Sequence, residues 1–216
     1  MSKNSVYTYD YFQPDDYRFS LDSVFLAQII ARLYFNHPNK AELKILDLCS
    51  GCGIIGLELA LHLKTLPFID FLEVQSIYQE YFTKNVEMIF PHDQNNRLKF
   101  LNKNYDDLLI ANDQSQKYDL VVSNPPYFFL GEGLLSPNEF KNRCRFFIDS
   151  NFENLINAII SALKNHGSAF LLLRPGEHHG RNSIDMLKQI LGSRASCEIF
   201  DNVRGTDVIR IIKKSF

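Results

Sequence analysis

The sequence predicts an α/β fold: one open, mostly parallel sheet of seven strands with helices on both faces. Short apolar runs alternate with segments of helical periodicity along most of the chain, which is typical of consecutive βα units. The last two apolar runs have no helix between them, so we expect the last strand to run antiparallel. The chain has 216 residues, of which 45% are hydrophobic, so it can form one domain with a full core.

The boundaries of these elements follow from apolar runs and breakers. Ser20 is a plausible N-cap for a first helix over Leu21–Phe35, which Pro38 would close. Strands are expected at Leu43–Leu48, Pro67–Val74, Leu98–Asn102, Tyr118–Ser123, Ser168–Leu173, Ala195–Phe200 and Asp207–Ile212. Further helices are expected after Gly51-Cys52-Gly53 to about Leu63, from Ser76 to about Phe90, at Phe152–Lys164 and at Ile184–Leu191, with a long loop at Asn124–Ser150. We interpret residues 1–216 as a single domain: a cap segment and helix at 1–40, then a core at 41–216.

Composition and charge limit the classes of function. The formal net charge is −2, so a nucleic-acid partner would need a local basic patch. Since no apolar run approaches ~18 residues and the N-terminus lacks a signal sequence, we expect a cytoplasmic protein without membrane contact. Four cysteines fit that compartment. Cys49-x-x-Cys52 is interpreted as part of a tight glycine loop rather than a redox or zinc pair, and no metal is expected.

A glycine turn between the first strand and its helix suggests a cofactor loop. Gly51-x-Gly53-x-x-Gly56 matches the dinucleotide fingerprint, which alone also fits a βα turn without a ligand. Asp47 ends the first strand, and Glu73 ends the second, where a carboxylate can accept hydrogen bonds from two ribose hydroxyls. Ligands of such sheets bind beyond the carboxyl ends of the strands, so these acids are candidate cofactor contacts.

Two further segments supply candidate contacts for planar rings. Asn104 follows the third strand and is a candidate partner for an adenine edge, with Tyr105 beside the ring. Asn124-Pro125-Pro126-Tyr127 follows the fourth strand. The Asn124 side-chain oxygen and the Pro125 carbonyl can each accept one N–H of an amine, and Tyr127 can stack on the ring that carries it.

Together these motifs resemble the class I S-adenosylmethionine-dependent methyltransferases. The matching residues are Asp47, Gly51, Gly53, Glu73, Asn104 and Asn124–Tyr127, in the family's order. The resemblance implies a Rossmann-like fold and S-adenosylmethionine as cofactor. It also implies that the cofactor contacts Asn124 and the residues next to Gly51 and Glu73, which are Cys49, Ser50 and Val74. The Asn-Pro-Pro-Tyr tetrapeptide resembles the signature of enzymes that methylate exocyclic amines of bases or a glutamine amide. Cys49 stands where Gly is usual, Asn104 where Asp is usual, and Gln75 where a second acid is common.

The N-terminal residues narrow the resemblance. Tyr7–Pro14 and Tyr17–Ala27 resemble the small enzymes that methylate adenine N6 beside the anticodon of a valine tRNA. That resemblance implies a tRNA partner and places Ser20 and Asp22 near the cofactor, although a helix cap with a first-turn acid explains both without a ligand.

Basic residues offer candidate phosphate contacts. Lys141, Arg143 and Arg145 follow the tetrapeptide and are candidates for holding substrate phosphates, or else a solvated loop face. A second group, which we interpret as a solvated junction, comprises Arg174, His178, His179 and Arg181. Protein glutamine, DNA, an NAD-dependent oxidoreductase and a non-catalytic cofactor-binding module remain alternatives, and the last two leave Asn124–Tyr127 without a role.

Overall fold

The computed structural model describes residues 8, 10–93, 96–110 and 115–215. Its helices are α1 (Leu21–Tyr34), α2 (Ile54–Leu63), α3 (Tyr78–Ile89), α4 (Asp107–Ile110), α5 (Glu139–Arg145), α6 (Phe152–Ala162) and α7 (Ser183–Leu191), with a 3₁₀ turn at Lys40–Glu42. Its strands are β1 (Lys44–Leu48), β2 (Phe68–Glu73), β3 (Leu98–Asn102), β4 (Tyr118–Ser123), β5 (Leu163–Leu173), β6 (Glu177–His178), β7 (Arg181–Asn182), β8 (Ala195–Val203) and β9 (Thr206–Lys213).

Seven strands form one sheet in the order β3-β2-β1-β4-β5-β9-β8. The first five pair in parallel, and β9 runs antiparallel to both of its neighbours. The predicted fold class and the antiparallel last strand are therefore confirmed. The strand order reverses between β1 and β4, where Leu48 lies opposite Ser123. This is the position at which open α/β sheets bind ligands.

Two apolar layers cover the sheet. Helices α1, α2 and α3 pack on one face, and α6 and α7 pack on the other. Helix α2 is buried almost throughout because it lies between α1 and the sheet. The strands at the centre of the sheet are apolar on both sides for the same reason.

The segment before α1 is fastened to the core by polar groups. Tyr11 Oη donates to the buried Glu58 carboxylate at 2.8 Å. Asn85 accepts from Phe12 N–H at 2.8 Å and donates to its carbonyl at 3.0 Å. These bonds fix the path that leads into Ser20, the N-cap of α1. Tyr7 and Tyr9, part of the N-terminal resemblance, lie outside the described residues.

Two local predictions were wrong, and a short hairpin was not predicted. The expected loop at 124–150 contains α5, which Asn138 caps through a bond from Lys141 N–H at 3.1 Å. A helix of seven mostly polar residues is too short to show a clear periodicity. The helix expected to reach Lys164 ends at Ala162, since the chain enters β5 at Leu163. The hairpin of β6 and β7 was not predicted.

Candidate active site

A cleft of about 260 Å³ opens beyond the carboxyl ends of β1, β2 and β4. It brings together most of the residues that the sequence predicts for a site: Ser20, Cys49, Ser50, Gly51, Glu73, Val74, Asn104, Tyr105, Asn124, Pro125, Pro126, Tyr127, Arg143 and Arg145. Four predicted residues are not among those that line it: Asp22, Asp47, Gly53 and Lys141. The predicted cofactor and amine contacts therefore share one cavity.

The glycine turn brings α2 close to the sheet. Gly53 has φ +87°, and a Cβ there would lie 2.8 Å from the Phe82 ring. A Cβ at Gly56 would lie 2.4 Å from Phe71, so the helix can approach β2 only with glycine at this position. Asp47 is completely buried and accepts the Gly56 N–H at 2.8 Å. Asp47 thus holds the first turn of α2 from behind the cleft, and burial raises its pKa.

Glu73 lines the cleft at the end of β2. Its two carboxylate oxygens accept the N–H groups of Gln75 at 2.9 Å and Gly51 at 3.0 Å. Burial raises the pKa of Glu73, and these two backbone hydrogen bonds oppose the shift. Each oxygen retains a lone pair for a further donor. Within the described chain the buried Ser50 hydroxyl has no hydrogen-bond partner, so the cleft also contains an unused polar group. These groups fit a ribose diol.

Asn104 and Arg143 are joined through one residue that the sequence did not indicate. Asn104 Nδ2 donates to the Asp149 carbonyl at 2.8 Å, and its Oδ1 accepts the Asp106 N–H at 3.1 Å. The Arg143 guanidinium holds the Asp149 carboxylate with Nε and Nη2 at 2.8–3.0 Å. The bidentate pair raises the pKa of Arg143. In this geometry Asn104, the predicted adenine contact, and Arg143, the predicted phosphate contact, both shape the wall of the cleft, because each is bonded to Asp149.

The tetrapeptide lines the cleft directly after β4. Tyr127 Oη donates to Asn124 Oδ1 at 2.6 Å, and Asn124 Nδ2 donates to the Ser23 hydroxyl at 3.0 Å. The N–H groups of Tyr127 and Phe128 both donate to the Arg145 carbonyl, at 3.1 and 3.0 Å. Burial raises the pKa of Tyr127. The amide of Asn124 is therefore oriented from both ends, by a phenol on one side and by α1 on the other.

Ser23 was missed by sequence reasoning, although one signal pointed to it. It is a polar residue on the buried face of α1, along with Val24 and Ala27. Ser20 caps this helix by accepting the Asp22 N–H at 3.2 Å, as the ligand-free interpretation of that residue expects. Asp22 instead faces the turn between β8 and β9, with Arg204 at 3.4 Å.

The described residues also bear on the cysteine, metal and membrane interpretations. All four cysteines are free thiols, and burial raises the pKa of Cys52 to about 12. Among the residues that the structure describes, His, Cys, Asp and Glu side chains form no group of three or more that could hold a metal ion. In the same residues we find no helix with the length and apolar character of a membrane span.

The comparisons with known proteins agree with this geometry. A family model described as "Methyltransferase small domain" matches residues 23–133. A Pedobacter heparinus protein named tRNA1(Val) (adenine(37)-N6)-methyltransferase is 30% identical over 171 residues, which are 79% of this chain and 65% of the relative. The chain spans about half to two thirds of the length of the first relatives with that name.

A second kind of relative covers less of the chain. A Leptospira interrogans protein named release factor glutamine methyltransferase is 34% identical over 89 residues, 41% of this chain and 29% of that protein. Among solved structures, a protein described as a predicted O-methyltransferase from Agrobacterium tumefaciens superposes with a TM-score of 0.60 at 18% identity, covering 90% of this chain and 81% of that one. At that identity the superposition supports the fold alone.

Proposed function

This chain belongs to the methyltransferase small domain family, and we propose that it transfers the methyl group of S-adenosylmethionine to N6 of an adenine in tRNA. The observation that carries the proposal is the oriented Asn124 amide, which lies in the same cleft as the Glu73 carboxylate. The Asn124 amide is suited to an amine, and the Glu73 carboxylate is suited to a ribose diol.

The residues at the glycine turn would hold the cofactor. Glu73 would accept the ribose hydroxyls, and the Ser50 hydroxyl would gain the partner that it lacks within the described chain. Tyr105 lines the predicted adenine end of the cleft, and Asn104 fixes the loop around it. When bound, S-adenosylmethionine supplies an electrophilic methyl group on a positively charged sulfur.

The tetrapeptide would position the amine. An exocyclic amine is a weak nucleophile because its lone pair is delocalised into the ring. Asn124 Oδ1 already accepts Tyr127 Oη, and one lone pair is left for a substrate N–H. The Pro125 carbonyl would accept the other N–H, and the two acceptors together would favour a more tetrahedral nitrogen whose lone pair is localised for methyl transfer. Such positioning can supply roughly 7–11 kcal/mol. The proton leaves once the nitrogen carries positive charge, so no strong base is needed beforehand.

Two observations favour tRNA as the acceptor. The segment from Tyr17 to Ala27 lines or adjoins the cleft, and its sequence carries the resemblance to the valine tRNA enzymes. The relatives with that kind of name also align over more of the chain than the glutamine methyltransferases do. We infer that residues 1–40 and 41–216 act as one unit, in the cytoplasm where tRNA is available.

The class of acceptor can be tested directly. Radiolabelled S-adenosylmethionine is incubated with the protein and, separately, with total tRNA, total rRNA or protein extract. We expect label in tRNA, recovered as N6-methyladenosine. Label confined to glutamine in the protein extract would replace the acceptor while retaining the chemistry. Calorimetry that detects NAD binding and no S-adenosylmethionine binding would end the methyltransferase proposal.

A further inference from the structure

A short loop rich in exposed leucine follows the tetrapeptide. This segment, Phe129–Leu135, is called here the leucine loop. Leu130, Leu134 and Leu135 are 57%, 94% and 55% exposed. Single exposed leucines are ordinary on a protein surface, whereas three within six residues, beginning three positions beyond Tyr127, form an apolar tip beside the cleft.

The base of the leucine loop is closed by one buried acid. Glu132 is 8% exposed, and its carboxylate accepts the Phe129 N–H at 3.0 Å. Its own N–H donates to the Phe129 carbonyl at 3.1 Å. The Phe129 ring packs against Phe147 at 5.4 Å and Phe152 at 6.0 Å. The loop is therefore held at its base while its leucines point into solvent.

Arginines pack on the aromatic residues at the base of the leucine loop. The guanidinium groups of Arg174 and Arg145 lie 4.8 and 5.4 Å from the centre of the Phe128 ring. Arg181 lies 5.1 Å from the Phe129 ring and 3.6 Å from Glu132. Arg174 and Arg181, interpreted from the sequence as a solvated junction, thus pack on the aromatic residues that follow the tetrapeptide.

Two of these cations are available to an anionic partner. Among the described residues neither Arg145 nor Arg174 forms a salt bridge with a carboxylate, and the polar contact of Arg174 is that of its Nη2 with His178 Nδ1 at 3.4 Å. A guanidinium stacked on a ring keeps its edge N–H groups for bidentate contact with phosphate. An apolar tip flanked by such cations is complementary to stacked bases between phosphates, whereas a protein surface would need acids to match the arginines.

We propose that the leucine loop enters the RNA at the position vacated by the target adenine, with Leu134 as the wedge and Arg145 and Arg174 on the flanking phosphates. The inference rests on the proposed function. The amine clamp can accept only an unstacked base, and extruding a base costs a few kcal/mol. Apolar side chains inserted between base steps offset such a cost in other nucleic-acid-binding proteins.

The wedge is tested with two RNA substrates: a full valine tRNA transcript and a short single-stranded RNA with the same target sequence. Leu134→Ser should lower kcat/KM on the transcript at least about fivefold, because unstacking loses its wedge, and should change it less than about twofold on the single strand. Ile110→Ser, an 82% exposed apolar residue on α4, serves as the matched control and should leave both values unchanged.

The phosphate contact has its own measurement. Arg174→Ala should reduce the slope of log Kd against log salt for the transcript by about one. Arg32→Ala, an exposed arginine on α1, should leave that slope unchanged. A slope equal to that of the wild type for Arg174→Ala would overturn the assignment of Arg174 to phosphate.

The outcomes separate the two proposals. If the wild type methylates the transcript and Leu134→Ser matches it on both substrates, or loses activity equally on both, the wedge is wrong and the proposed function stands. If the wild type methylates neither RNA, or modifies glutamine in protein instead, the proposed function fails and the wedge fails with it.

Discussion

The Tyr127 phenol donates a hydrogen bond of 2.6 Å to Oδ1 of Asn124, three residues earlier in the chain. The sequence alone suggested that Tyr127 would stack on a substrate ring, and this hydrogen bond adds an orienting role. Because Ser23 accepts from the other end of the amide at 3.0 Å, the carbonyl of Asn124 has a defined direction. A clamp for an amine needs such a direction, since a rotated amide would present donors to donors.

The orienting role of the phenol predicts the behaviour of Tyr127→Phe. The ring stays and the bond to Asn124 is lost, at a cost of about 0.5–1.5 kcal/mol. We expect kcat to fall about 3–10-fold while KM for RNA changes little. Tyr81→Phe on α3, which retains its ring outside the cleft, is the control. A raised KM with an unchanged kcat would assign Tyr127 to stacking alone.

The buried Glu73 carboxylate predicts opposite pH effects on stability and on cofactor affinity. Its pKa is raised above 4.5, so the folded state holds a proton more tightly than the unfolded state. The contribution of Glu73 to the free energy of unfolding is therefore present below that value and lost as the pH rises through the folded pKa. Cofactor affinity follows the reverse course, since ribose hydroxyls need the ionised acceptor.

Glu73→Gln checks both effects. Affinity for S-adenosylhomocysteine, measured by calorimetry, should fall about tenfold or more at neutral pH, because a charged hydrogen bond is worth about 1.5–3 kcal/mol. The decline in affinity on mild acidification should disappear in the variant. An unaltered pH dependence of binding would show that Glu73 does not contact the cofactor.

The Arg143–Asp149 pair predicts a coupled effect on cofactor binding. Without Arg143, Asp149 and Glu73 would place two carboxylates in one cleft, and the charge of Asp149 already raises the pKa of Glu73. Arg143→Ala should weaken S-adenosylhomocysteine binding roughly tenfold, equivalent to about 1.4 kcal/mol. Adding Asp149→Asn should restore part of that loss.

Lys141→Ala provides the control on the same helix, because Lys141 is not among the residues that line the cleft. Its affinity for S-adenosylhomocysteine should equal that of the wild type. If Arg143→Ala also binds normally but weakens RNA binding, the phosphate contact predicted from the sequence is the better role for Arg143.

The backbone at Cys49 predicts an unusual order of stabilities. Cys49 has φ +58°, a left-handed conformation that costs a residue with a Cβ about 1–2 kcal/mol. Cys49→Gly should therefore be more stable than Cys49→Ala by about 1 kcal/mol in chemical denaturation. Cys197 lies in the extended strand β8, where the order of the same two substitutions should be reversed. The same order of stability for the glycine and alanine variants at both positions would contradict backbone strain at Cys49.

The strands and most of the helices were predictable from the sequence, because apolar runs mark buried segments and glycines mark turns. The ends of β1, β2 and β4 were placed within one or two residues, and this was enough to bring Glu73 and Asn124 to one edge of the sheet. Helix α5 was not predicted from the sequence, because its contacts with other segments define it and its own periodicity does not. Its Arg145 carbonyl receives two N–H groups from the tetrapeptide.

The residues of the site were predictable from the sequence, whereas their hydrogen-bond and ion-pair partners were less so. The glycine turn and the tetrapeptide are local motifs, so their members could be named in advance. Asp149 and Ser23 could not be assigned, since their partners Arg143 and Asn124 depend on how α5 and α1 pack against the sheet. Asp47 likewise showed its place only in the structure, where it bonds the backbone of α2 behind the cleft.

The most direct test of the central claim measures nucleosides in a valine tRNA transcript after incubation with S-adenosylmethionine. The wild type should produce N6-methyladenosine, detected by mass spectrometry. Asn124→Ala should lower its rate of formation at least about 100-fold, in the range for removing a transition-state contact, while affinity for S-adenosylhomocysteine stays within a few fold. Undiminished N6-methyladenosine formation by Asn124→Ala, or none by the wild type, would contradict the account.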